Sequence, residues 1–136
     1  MRIHKIKGKM NAEWWSDINA VLDTWENPTV SLDEYRDAVL VKELNHARKN
    51  GGVAWIVDSR KAKTSFPEDI QKFINTEVFP NFARSGIKYF ITINPDSDET
   101  YHTVDNYYSR ISPSGLELVE AKSLQDAETF LKDQRK

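Results

Sequence analysis

Val53-Ala54-Trp55-Ile56-Val57-Asp58-Ser59-Arg60 carries the reading of the fold. Five apolar residues stand between the Gly51-Gly52 pair and the charged Asp58. A short unbroken apolar run with β-branched and aromatic members predicts a central strand buried on both faces, as in parallel sheets. Such a strand needs crossover helices to cover it, and the flanking sequence supplies them.

Upstream, Ser31-Leu32-Asp33-Glu34 is a capping box: the Ser31 hydroxyl accepts a first-turn amide while Glu34 reaches back. Leu32, Tyr35, Val39, Leu44 and Ala47 then recur near helical spacing, and Asn50-Gly51-Gly52 ends the helix. Before it, Ala12-Glu13-Trp14-Trp15-Ser16 and Ala20-Val21-Leu22-Asp23-Thr24-Trp25 read as two strands of a hairpin. Asp17-Ile18-Asn19 supplies the turn, and Asn27-Pro28 stops the second strand.

Downstream, Ser65-Phe66-Pro67-Glu68 repeats the capping-box pattern, and Phe66, Ile70, Phe73, Ile74 and Phe82 mark the buried face of a second helix. Pro80 predicts a break or kink near Val78-Phe79, and Gly86 closes the helix. Ile87 to Ile93 is the next strand, stopped by Asn94-Pro95-Asp96. Tyr101, Val104, Tyr108 and Ile111 predict a third helix ending at Ser112-Pro113-Ser114-Gly115. Leu116 to Glu120 is a last strand, and Ser123 caps a final helix with Leu124, Ala127 and Leu131 inward. The order ββαβαβαβα predicts a single α/β domain over 11–136, with a mixed, mostly parallel sheet and an N-terminal antiparallel hairpin. Residues 1–10 read as a basic arm or an edge strand.

The 136 residues include 19 basic and 21 acidic side chains, for a net charge of −2, and 39% are hydrophobic. That suits one domain with its own core. The absence of cysteine excludes a disulfide scaffold, a thiolate nucleophile and an iron–sulfur centre. A near-neutral charge argues against a nucleic-acid partner. No apolar run approaches the roughly 20 residues of a membrane span, and none has the form of a secretory signal, so a cytoplasmic protein is expected.

The chain resembles the STAS-like superfamily over roughly residues 12–132, most closely its small stand-alone bacterial members, which are also compared with CRAL-TRIO lipid carriers. The likeness rests on Trp25, on Ser31-Leu32-Asp33-Glu34-Tyr35-Arg36, on Ala54-Trp55-Ile56-Val57-Asp58-Ser59-Arg60, and on Ser65 to Asp69. Glu77-Val78-Phe79-Pro80 and Ser123-Leu124-Gln125-Asp126-Ala127 complete it. The resemblance implies a non-catalytic regulatory or binding module acting through a protein partner or a small apolar ligand. In anti-sigma-factor antagonists a serine opening the second helix is phosphorylated within an Asp-Ser-Ser-Gly-type sequence. Here Lys63-Thr64-Ser65-Phe66-Pro67 occupies that place, which makes Ser65, and after it Thr64, the candidate phospho-acceptors.

Asp58 and Arg60 close the predicted central strand, and Asn94 closes the next; ligands of open α/β sheets gather at such carboxyl ends. Alternatively Asp58 caps the turn and Arg60 pairs with a neighbouring carboxylate, just as Ser65 can serve as a helix cap. Tyr101, His102 and Tyr107 belong to an aromatic cluster suited to closing over an apolar molecule, with a lipid or metabolite pocket bounded by the second and third helices. A small enzyme using His102 with Asp105 or Tyr101 is the remaining alternative. His4, His46 and His102 lack metal-ligand spacing, and five glycines form no phosphate loop, so no metal and no cofactor are expected. An exposed apolar face would point to a homodimer.

Overall fold

Seven strands form one mixed sheet in the computed structural model, which describes residues 1–62, 64–93 and 107–134, with 107–110 as backbone only. The strands are β1 (Arg2–Ile6), β2 (Met10–Trp15), β3 (Ala20–Trp25), β4 (Ala54–Asp58), β5 (Tyr89–Ile93), β6 (Tyr107–Ile111) and β7 (Glu117–Ala121). Their order across the sheet is β1-β2-β3-β4-β5-β7-β6. β3, β4, β5 and β7 run parallel, while β1 and β2 at one edge and β6 at the other are antiparallel to their neighbours. Helix α1 spans 32–49 and α2 spans 68–84; α3 is Leu124–Gln134.

β4 lies at the centre, as its unbroken apolar run requires. Trp55 and Val57 face α1 and α2, whereas Ala54 and Ile56 face α3. The α1/α2 side is packed with Val21, Trp25, Tyr35, Val39, Trp55 and Phe82; the α3 side with Ile18, Leu22, Ile91, Phe130 and Leu131. Two successive crossovers, β3-α1-β4 and β4-α2-β5, step in one direction along the sheet, and crossovers of one hand then place both helices on one face. Truncating a buried tryptophan such as Trp25 or Trp55 to alanine would cost about 3–5 kcal/mol.

Ser31 caps α1 as the sequence predicts: its Oγ accepts the Glu34 amide at 3.1 Å, and the Glu34 carboxylate accepts the Ser31 amide at 3.3 Å. The helix closes at Gly51 (φ 70°), and a Cβ on Gly52 would sit 2.9 Å from the Ala47 side chain, so each glycine is required for a different reason. Both long helices contain a π-helical stretch, Asp37–Glu43 in α1 and Ile74–Val78 in α2. In an α-helix a four-residue step overshoots one full turn of 3.6 residues. The wider π turn undershoots it, which keeps Tyr35, Val39, Glu43 and Ala47 in one inward stripe.

Three sequence expectations are corrected. Ser65 does not cap α2: Pro67 occupies the cap position with no side-chain cap bond, and the helix begins at Glu68. A residue preceding proline is driven away from helical dihedrals, so Phe66 cannot open a helix. Pro80 does not break α2 either; the π stretch before it takes up the missing amide, and the Asn81 side chain donates to the Glu77 carbonyl at 2.7 Å. Tyr108 and Ile111 belong to β6 rather than to a helix, because Ser112 to Leu116 form a tight turn that pairs this segment with β7. The remainder of that expected helix, 101–106, lies outside the described residues. The basic N-terminus, for its part, forms edge strand β1 on β2. No described helix is long and apolar enough to cross a membrane.

Candidate functional site

Asp23 interrupts the apolar run of β3 and points to the α1/α2 side between Val21 and Trp25, fully enclosed at 2% exposure. Its interior strand position keeps it off the sheet edge: β2 and β4 flank it, with Ala12 and Val57 as its register partners. The Trp55 indole N–H, on β4, donates to Asp23 Oδ2 at 3.1 Å. Above it the π stretch of α1 delivers Glu43, 0% exposed, close enough for the two carboxyls to influence each other's protonation. No donor among the described residues reaches Asp23 Oδ1 or either Glu43 oxygen. Two ionised carboxylates held together repel, which favours the protonated form of each.

Electrostatics agrees with that geometry. Burial raises the Asp23 carboxyl, with Glu43 and Trp55 opposing the shift. Burial raises Glu43 well above its ordinary value, and the neighbouring Asp23 charge adds to it. The Tyr35 phenol is raised as well, by burial and then by the charges of Asp23 and Glu43. Both carboxyls are therefore pushed toward their protonated forms.

Beside this pair is a cavity of about 220 Å³. Asp23 and Thr92 give it its polar floor, and aromatic rings from five elements and a loop give it walls. Phe66 leans edge-on against Trp25 at 4.9 Å and against Tyr35 at 5.5 Å between ring centres. Trp55 stacks on Phe82 at 4.2 Å, and Phe90 closes the far side. The cavity opens at the carboxyl ends of the parallel strands, where α/β sheets hold ligands. Ser59 and Phe66 are shared with an outer groove of about 470 Å³ that also includes Pro28, Thr64, Ser65 and Gln71. Aromatic walls with Asp23, Ser59 and Thr92 among them have the composition typical of small-molecule sites.

The structure brings Asp58, Arg60, Thr64 and Ser65 to this same end of the sheet. Asp58 and Arg60 satisfy each other: Asp58 Oδ1 accepts the Arg60 amide at 3.1 Å and Nε at 2.9 Å, and Oδ2 accepts Nη2 at 2.7 Å. The Arg60 hydrogen bond holds the Asp58 carboxyl below its ordinary value against the opposing effect of burial. This is a turn cap closed by an ion pair. Thr64 and Ser65 are exposed in the groove wall. Tyr107 begins β6 at the sheet edge, with β5 and β7 between it and β4, so it is not brought to the site. Asn94, Tyr101 and His102 lie outside the described residues. Among the described residues no three histidine or acidic side chains converge to hold a metal ion.

Asp23 and Glu43 are the residues that reading the sequence missed. Each carried a signal: Asp23 is the one charge inside Ala20–Trp25, and Glu43 continues the Tyr35–Val39 stripe at helical spacing. Compared with protein-family models, curated proteins and solved structures, the chain matches none.

Proposed function

We propose that the protein is a binding module for a small, largely apolar ligand held in the aromatic chamber beside Asp23 and Glu43. The observation that carries this reading is the chamber itself: about 220 Å³ of space among Trp25, Tyr35, Trp55, Phe66, Phe82 and Phe90, in an interior that ordinarily closes on its own side chains. A void of that size forfeits dispersion contacts, and a ligand restores them. Phe66, half-buried between chamber and groove, is the side chain that an entering molecule displaces. Native mass spectrometry of protein purified from its source, with tryptophan fluorescence during titration with small apolar compounds, tests the reading. A retained adduct or quenching of Trp25 and Trp55 is expected; no adduct and a flat response across a broad set overturn it.

A second reading keeps the STAS-like resemblance: a regulatory module acting through a protein partner and modified at Ser65 or Thr64. It is favoured by the Ser65 hydroxyl, which lies in the groove wall and caps no helix. Peptide mapping of the native protein tests it, and a 64–65 peptide without phosphate in every growth state removes it.

A further inference from the structure

The walls of the chamber restrict what it can hold. Among the described residues no lysine, arginine or histidine lines it, so an anion would lose its water and gain no counter-charge. Its one carboxyl is engaged: Asp23 Oδ2 accepts the Trp55 indole N–H at 3.1 Å, and Oδ1 is enclosed. A cation would therefore meet no open carboxylate oxygen, and aromatic faces attract it by less than its dehydration costs. Neutral rings fare differently, because aromatic walls meet a flat partner in offset or edge-on contacts worth more than plain area burial. Space limits the ligand further. A dry cavity of about 150 Å³ holds one benzene ring, so about 220 Å³ holds a ring with a short arm or two fused rings. Beyond Phe66 the outer groove has Ser59, Thr64, Ser65 and Gln71 in its wall, which leaves a long alkyl tail among polar groups.

We propose that the chamber takes an uncharged, planar aromatic molecule of no more than two fused rings. This rests on the binding reading above and names its ligand class, as against a fatty acyl chain or an organic ion. Thr92 supplies the polar contact. Its hydroxyl donates to the Val119 carbonyl at 3.5 Å, the long limit of a hydrogen bond. A hydroxyl oxygen accepts as well as donates, so a ring N–H or a phenol is the substituent that Thr92 suits.

Calorimetric titration of the full chain near neutral pH tests the assignment with indole, 1-decanol and two pairs matched in shape. The pairs are benzamide with benzoate and benzyl alcohol with benzylamine, each a neutral molecule beside an ion. Indole is expected to bind roughly tenfold tighter than 1-decanol, and each neutral member roughly tenfold tighter than its ion. 1-Decanol binding as tightly as indole, or an ion matching its neutral twin, overturns the ligand class while the apolar chamber stands. Failure of all six compounds overturns both readings. Val57→Phe puts a further ring into the chamber from β4 and should abolish indole binding; unchanged affinity places the ligand elsewhere and overturns both. Should that variant lose its circular dichroism signature, the ligand series on the native protein decides alone.

Discussion

Two aspartates at 2% and 6% exposure sit on adjacent strands of this sheet and have opposite surroundings. Asp58, at the end of β4, is held by three hydrogen bonds from Arg60, and its charge is complete. Asp23, one strand away and on the other face, meets an indole, a second carboxyl and an aromatic void. The first needs nothing more from its environment. The second is enclosed, has one oxygen that no described donor reaches, and is pushed by burial toward its protonated form.

The sharpest way to break the comparison is truncation. Asp23→Ala strands the Trp55 indole N–H, leaves Glu43 alone and enlarges the void, so it should cost about 2–4 kcal/mol in urea unfolding. Asp58→Ala leaves a half-exposed guanidinium that rehydrates, and should cost about 1 kcal/mol. Equal costs would erase the distinction.

Acidity separates the two next. Because Asp23 and Glu43 are raised above their ordinary 3.8 and 4.5, the native state binds more protons than the unfolded chain above those values. Their contribution is therefore full below the ordinary range and is lost as pH rises through the raised one. Asp58 is lowered, so its contribution is present above 3.8 and is lost as pH falls. Melting curves from about pH 4.5 to about 8 should show native stability declining relative to D23N/E43Q, and parallel curves would refute the raised carboxyls. The smallest effect belongs to Arg60→Gln, at the exposed partner of the closed pair: within about 1 kcal/mol, with ligand titrations unchanged.

The candidate site was less legible than the scaffold around it. Alternation, capping and glycine placement act locally, so β4, the Ser31 cap and the inward face of α3 could be read from neighbouring residues. Ser65 shows the limit of local reading, since the same capping pattern is vetoed by the proline that follows Phe66. Tyr108 and Ile111 show another: their spacing fits a helix, yet pairing with β7 across the Ser112–Leu116 turn makes them a strand. Asp58 and Arg60 stood out because they are adjacent in sequence at a strand end. Asp23 and Glu43 are twenty residues apart, and only the β3-α1 crossover makes them neighbours.

What the sequence determined by itself is an α/β chain with crossover helices, because hydrophobic period and turn chemistry are properties of short stretches. Tertiary structure alone decided which faces meet. It set Asp23 under the π turn of α1, placed six aromatic rings around the space beside it, and left that space unfilled. A void and a pair of enclosed carboxyls are properties of the assembled layers, arising only when distant segments exclude water together.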